Sequence, residues 1–325
     1  MRTASKTSSI ETWIEVRPQG LYCLPADVYI DPVKPVDRAI ITHGHADHAR
    51  PGNREIFATP ETLEIMQARY PDDQPDTLHK TAYGQVRELP GGVTLWLAPA
   101  GHILGSAQVV LEHGGERLVV SGDYKRHEDP TCAPFELVPC DVFVTEATFA
   151  LPVFSHPPLG DEVAKVMRSL EAFPDKTHLV GVYALGKCQR VMHALRAGGY
   201  AKPFFLHGAL VKLTQLYESH GNHFGEWHEA ADYRVSFTRT LPDPVPAMAS
   251  GWMQIRARAR QRRAEMPLIV SDHADWADLI RTCEETGARE VWITHGRVDA
   301  LQYELRKRGI AAKALDLIGR EEEAE

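Results

Sequence analysis

Residues 42–48 read THGHADH, placing His43, His45, Asp47 and His48 within six positions of a chain that has only 16 histidines. From an extended segment, alternate residues point the same way, so His43 and His45 can grip one ion while Asp47 and His48 grip a second beside it. Imidazole nitrogen and carboxylate oxygen are ordinary ligands for zinc. Gly44 and Ala46, the small spacers, let the backbone turn tightly between ligands. Further along, GHILGS offers His102, SGDY offers Asp123 and VWITHG offers His295, each at a strand-to-loop junction. The expected assignment gives His43, His45 and His102 to one ion and Asp47, His48 and His295 to the other, with Asp123 bridging. Two such ions about 3.5–4 Å apart clamp the attacking and leaving oxygens of a phosphoryl displacement, with a shared water as nucleophile. Zinc is the first expectation for both ions and manganese the alternative, because imidazole–carboxylate sites admit several metals. The remaining histidines, His79, His113 and His127 among them, have no comparable frame and read as surface or packing residues.

The elements that must hold these residues are legible in outline. The first third reads as short strands joined by turns: WIEV, LYC, DVYI (27–30) and RAIIT (38–42). A helix is predicted over 61–70, a strand over 93–98, a hairpin over 106–123 around Gly114-Gly115, and a buried strand over 141–147. A Pro-rich connector at 151–161 opens a stretch of alternating helix and strand, and strand–helix–strand–helix returns from 267 onward.

Composition excludes several classes. The chain has 325 residues, 43% hydrophobic and 25% charged, which suits a globular protein of one large or two ordinary domains. No apolar run nears the ~20 residues of a membrane helix, and the N-terminus lacks a secretory core, so a cytoplasmic location without membrane partners is expected. Cys23, Cys132, Cys140, Cys188 and Cys283 are scattered and odd in number, which argues against a disulfide framework or a thiolate metal site. The net charge of −8 disfavours a nucleic-acid partner only in sum, since EEEAE (321–325) carries four of the negative charges.

The ordered set HxHxDH, then GH, then GD, resembles the metallo-β-lactamase superfamily. DVFVTEATFA, VSDHADW and ITHG resemble the three motifs of its β-CASP nuclease group, and ALGKCQ resembles the start of a helix in the insert of that group. GLYCLPADVYIDPVKPVDRAIITHGHADHARPGN, GDYKRHEDPTCAPFE and SGWMQIRARARQRR are closer still to the bacterial DNA-ligase-associated exonuclease branch. The resemblance implies an αββα metallo-β-lactamase sandwich with an inserted β-CASP-like α/β cap domain. The core would comprise 1–150 and 267–325, and the cap 151–266. It implies a two-metal nuclease acting on DNA from an end, in repair, with a DNA ligase or other repair proteins as partners. An RNA-processing β-CASP ribonuclease and an inactive nucleic-acid-binding paralogue are the alternatives.

Carried over by position, His43, His45, Asp47, His48, His102, Asp123 and His295 match metal ligands. Asp31 matches the first superfamily motif and would orient a ligand from behind, or else cap the IDP turn. His273 is the candidate general acid, with Glu146 holding it protonated. The rival reading makes Glu146 a strand cap and gives the pairing to Asp272 or Asp275. Asp47 would position the attacking water or accept its proton. Related sequences often carry Ser or Thr after the acid, whereas here Ala147 follows Glu146 and Thr148 comes next.

Five arginines fall in SGWMQIRARARQRR with no intervening acid. Read as a strand, it puts Arg256, Arg258 and Arg260 on one face, where they would track a phosphate backbone, the alternative being a solvated basic face. Ser250 and Gly251 resemble a phosphate-contacting turn. Trp252 would stack on a base or sit in the core. Lys187 and Gln189 open a helix and would face the nucleic acid or plain solvent.

Overall fold

The computed structural model describes residues 9–233 and 244–317; the acidic tail at 321–325 lies outside them. Six short strands come first: β1 (Ile14–Arg17), β2 (Gly20–Cys23), β3 (Val28–Ile30), β4 (Arg38–Ile40), β5 (Glu55–Ala58) and, after helix α1 (Pro60–Arg69), β6 (Thr77–Lys80). They form one sheet in chain order, antiparallel as far as β3 and parallel from there on. Then follow β7 (Arg87–Leu89), β8 (Val93–Pro99), β9 (Ala107–His113), β10 (Glu116–Val120) and β11 (Val142–Ala147). The second compact unit contributes α2 (Leu159–Ala172), β12 (His178–Gly181), α3 (Lys187–Ala197), β13 (Phe204–Leu206), α4 (Gly208–Ser219), β14 (Trp227–Glu229), β15 (Val245–Ala249), α5 (Arg256–Gln261) and β16 (Met266–Leu268). The chain closes with α6 (Trp276–Glu285), β17 (Glu290–Gly296), α7 (Val298–Lys307) and β18 (Ala311–Ala314).

The first unit holds residues 9–128, 133–153 and 273–317. Its larger sheet has the order β18-β17-β11-β10-β9-β8-β7. Period-two patterning explains the layers. In β8, Val93, Leu95 and Leu97 point into the core between the sheets with Leu21, Ile30 and Ile40, while Ala98 points to the opposite face. Phe143 of β11 and Ile293 of β17 also take that opposite face, packing with Leu279 and Ile280 of α6 and Leu301 and Leu305 of α7. Across the smaller sheet, Ala39, Ile56 and Ala58 meet Leu63 and Met66 of α1. The layers are therefore helix, sheet, sheet, helix. Each sheet is mixed and apolar on both faces, because one face meets the other sheet and the opposite face is covered by helices.

The second unit, residues 129–132, 154–233 and 244–272, is a small α/β fold of its own. Strands β12, β15 and β16 form a parallel sheet, with Ala247, Ala249 and Leu268 packed on Val163 and Val166 of α2 and Val191 and Leu195 of α3. Among the described residues no helix is long and apolar enough to cross a membrane.

Candidate metal centre

The site lies on the first unit, where the C-terminal ends of parallel strands converge. Asp123 follows β10, Glu146 is on β11 and His295 ends β17, three neighbours in one sheet. The loop Thr42–His48 follows β4 of the other sheet. Gly44 carries no positive φ; it is needed because a Cβ there would stand 2.5 Å from Ile65 Cγ2 of α1. Ala46 is exposed. The Gly44 carbonyl accepts from Arg69 Nη1 at 2.7 Å, which ties the loop to α1. The His102 loop is fixed to the same helix, because Thr59 and Thr62 hydroxyls donate to Gly105 O at 2.6 and 3.0 Å. Within that loop Ser106 Oγ accepts from His102 N and Ile103 N, at 3.1 and 3.2 Å.

Three groups of potential ligands result. His43, His45, His102 and Asp123 form one, His48, Asp123 and His295 a second, and Asp123, Glu146 and His273 a third, with the donor atoms of each group within 4.8 Å of one another. Asp123 Oδ2 lies 3.4 Å from His43 Nε2, 3.5 Å from His48 Nε2 and 3.8 Å from His102 Nε2, while its Oδ1 lies 3.5 Å from His295 Nε2. His45 Nδ1 comes within 3.0 Å of His102 Nε2. Asp47 stands at the edge, half-exposed, with Oδ2 3.3 Å from His48 Nε2.

The proton positions follow from the groups behind the ligands. Asp31 Oδ1 accepts from Thr42 N at 2.7 Å; its Oδ2 accepts from Thr42 Oγ1 at 2.7 Å and from His48 Nδ1 at 2.8 Å. A carboxylate only accepts, so the Nδ1 of His48 carries the proton. Having donated its hydrogen to Asp31, Thr42 Oγ1 accepts from His43 Nδ1 at 3.0 Å. In its neutral form, each of His43 and His48 therefore turns an unprotonated Nε2 toward Asp123. Asp31 is 1% exposed and holds φ +43°, a conformation costly for most L residues but tolerated by Asp and Asn. His295 also has positive φ, +25°, where β11 and β17 shift register. Such strain gathers where surrounding structure over-determines a side chain's aim.

The electrostatics match. Burial, and then neighbouring His48, push His43 below its ordinary value. Burial, then His43 and His273, push His102 well below. Burial alone would raise Asp123, but His48 and His273 hold it well below the carboxylate range. Burial thus disfavours the protonated forms of His43 and His102 while Asp123 stays ionised, the state a divalent cation requires of those ligands. Two buried atoms, His43 Nε2 and Asp123 Oδ1, meet no hydrogen-bond geometry among the described residues, a costly arrangement unless a cation takes them. The residues fit such ions.

Beside the clusters, His273 Nδ1 lies 2.9 Å from Glu146 Oε2, and its ring centroid is 4.7 Å from that of His102. Glu146 Oε1 accepts from Tyr124 N at 2.9 Å, and Thr148 Oγ1 donates to Oε2 at 2.5 Å. The hydroxyl missing at Ala147 is thus supplied one residue later. The rival partners are engaged elsewhere: Asp275 caps α6 and Asp272 pairs with Arg190 at 3.1 Å.

The nucleic-acid candidates fare differently. Residues 256–261 form helix α5, not a strand, so Arg256 and Arg260 share a face and Arg258 does not. Arg256, Arg260, Arg262 and Arg263 are exposed, whereas Arg258 lies over the Trp252 ring at 4.2 Å. Trp252 is buried against Phe154, edge to face at 5.2 Å, and presents no face for a base to stack on. Ser250 and Gly251 are buried too, with Ser250 Oγ accepting from Trp252 N to start the turn before α5. Lys187 is not a surface residue: it is 1% exposed, with Nζ 3.9 Å from Asp272 Oδ2. Gln189 is buried and caps α3 through Gly186 N. Thr42 and Ser106 were given no role from the sequence although both lie in the quoted ligand segments, and Thr148 was singled out only as the residue after Ala147.

Comparison with known proteins agrees with this geometry. The family model of the β-lactamase superfamily domain matches residues 9–177. A probable DNA ligase from Opitutus terrae is 29% identical over 317 residues, 91% of this chain and 30% of the relative. The endoribonuclease ysh1 of Aspergillus fumigatus is 26% identical over 58% of this chain and 25% of its own length. An RNase J-like protein from Methanocaldococcus jannaschii is 24% identical over 58% of this chain and 51% of its own. The chain thus spans between a quarter and about half of the length of these relatives. A protein of unknown function from Enterococcus faecalis shares the fold, with a TM-score of 0.61 at 12% identity, covering 87% of this chain and 80% of that one. On this family match, over a two-sheet frame that carries the ligand clusters, the chain belongs to the metallo-β-lactamase superfamily, in its β-CASP group.

Proposed function

We propose that this chain is a metal-dependent nuclease that hydrolyses DNA phosphodiester bonds from an end, in repair. The observation that carries the reading is Asp123, a buried carboxylate shared by the first two ligand clusters, with the Glu146–His273 pair beside them. His43, His45, His102 and Asp123 would hold one divalent ion, and His48, Asp123 and His295 the other, with Asp47 at the edge of the second. When bound, such ions offset the charge of a phosphate and lower the pKa of water. The chain's own groups do the rest. Glu146 fixes the ring of His273 through Nδ1, leaving Nε2 to protonate the departing oxygen. Burial would raise the Asp47 carboxyl, but adjacent His48 outweighs it and holds the group far below its usual range.

DNA is favoured over RNA because the relative named a probable DNA ligase matches 91% of this chain, while the endoribonuclease matches 58%. The exposed arginines 256, 260, 262 and 263 supply a basic face suited to phosphates. Ribonuclease action is the second reading, supported by the relatives named for it. The test is a side-by-side assay on end-labelled single-stranded DNA, duplex DNA and RNA of one sequence, with zinc or manganese. Mononucleotide release from DNA is expected. Cleavage confined to RNA would move the assignment to the second reading, and no cleavage of any of the three would defeat both.

A further inference from the structure

His273 is the first residue after the second unit ends at Asp272. Downstream it is held within the first unit, because Ala274 N donates to Tyr124 O at 2.7 Å and Glu146 takes Tyr124 N. Upstream, within the second unit, the segment before it is held by Arg190 on α3. Arg190 Nη1 donates to the Ser271 carbonyl and to Asp272 Oδ1, the latter at 3.1 Å. Its Nε lies 3.5 Å from Asp129 Oδ2, in the short excursion 129–132 that belongs to the same unit. Asp129 is itself fixed, its Oδ1 accepting from Thr131 N and Thr131 Oγ1 at 2.9 and 2.6 Å. Glu162 Oε2 takes Ile269 N at 3.0 Å, and Lys187 balances the second oxygen of Asp272 at 3.9 Å. Arg190, Asp272, Asp129 and Lys187 are all at least nine-tenths buried, two cations against two anions.

A buried ion cluster is a poor source of net stability, since desolvation consumes most of its Coulombic gain. A guanidinium is instead suited to geometry, because its rigid fork fixes the direction of each acceptor. Two of the groups it fixes here are the carbonyl two residues before His273 and the side chain one residue before it.

We propose that Arg190 is a positioning residue for His273, setting the aim of the imidazole by pinning the Ser271–Asp272 backbone. The inference rests on the reading of His273 as the proton donor. Misplacing a reacting group by about 1 Å costs on the order of 100-fold in rate. Arg190→Met should therefore lower kcat by about 10- to 100-fold, with KM and bound metal unchanged within about twofold. In a His273→Gln background the same substitution should cause no further loss, because the group it aims is gone. Amide exchange of residues 270–274 in the resting protein should quicken by at least about tenfold, with α6 unchanged.

Arg190→Lys, which keeps the buried charge but loses the fork that reaches both acceptors, serves if Arg190→Met does not fold and should show the same kcat-only loss. The inference is overturned if either folded variant retains kcat within twofold, if the losses of Arg190→Met and His273→Gln multiply, or if exchange at 270–274 is unaltered. The exchange measurement needs no turnover. A wild-type protein that cleaves nothing would remove the nuclease reading and leave the exchange result to decide on the tether.

Discussion

Asp31→Asn tests the logic of the centre most directly. The substitution keeps the shape and tolerates φ +43°, so it removes charge and acceptor capacity without the backbone strain that Ala would add. With its Oδ1 still accepting from Thr42 N, the new amide nitrogen must face Thr42 Oγ1 and His48 Nδ1. A donor there pushes the His48 proton from Nδ1 to Nε2, the atom 3.5 Å from Asp123 and 3.3 Å from Asp47. The same donor releases the Thr42 hydroxyl to point at His43 Nδ1, so the His43 proton also moves to Nε2. One ligand of each cluster is thereby blocked. Loss of an orienting carboxylate typically weakens metal binding 10- to 100-fold, or about 1.4–2.7 kcal/mol. The direct contact to His48 predicts the larger loss for the cluster that contains it. Thr42→Val should spare His48 and weaken only the cluster of His43. The measurement is competition against a chromophoric chelator, with zinc and manganese, on wild type and both variants. Affinities within twofold of wild type in Asp31→Asn would refute the tautomer argument. Equal loss from both clusters in Thr42→Val would refute the hydroxyl relay.

Gly44→Ala should cost about 1–3 kcal/mol, because its Cβ meets Ile65 Cγ2 at 2.5 Å; Ile65→Ala should restore part of it in the double variant, and strictly additive losses in urea unfolding would rule out the clash. Arg256→Ala and Arg260→Ala should each lower the slope of log K against log salt for DNA binding by about one. Arg258→Ala should leave that slope alone and cost about 0.5–1 kcal/mol of stability through the Trp252 ring; a full unit of slope would return Arg258 to the phosphate path. Burial pushes the Cys188 thiol up to about 12, so the fold requires it protonated. That contribution is intact below pH 9 and is lost as pH rises toward 12, amounting to about 2 kcal/mol at pH 10.5. Cys188→Ala should accordingly lose about 2 kcal/mol less than wild type between pH 8 and 10.5, and parallel losses would refute it.

What the sequence disclosed and what it hid divide along the range of the interactions. The donors in Thr42–His48 were readable because their spacing is local and strand ends have to converge somewhere. The layered fold was readable through the resemblance of the ordered motifs to the metallo-β-lactamase superfamily, and β8 fits it by dividing its apolar residues between two cores. The arginine segment was misread because R-x-R-x-R suits a strand or a helix equally. What decides between them is Trp252, docked on Phe154 and capped through Ser250, which forces the chain into a turn before α5. Lys187 was misplaced for a related reason: a lysine opening a helix reads as solvated unless a counterion is known. Its counterion, Asp272, follows β16, and the same carboxylate serves Arg190 from 82 positions away. Orientation at this centre depends on such distant pairs. Asp31 acts on His48 across 17 positions, and Glu146 acts on His273 across 127. A ligand motif in a single sequence therefore shows which atoms can bind, while the groups that decide where their protons sit become visible only once the chain has folded.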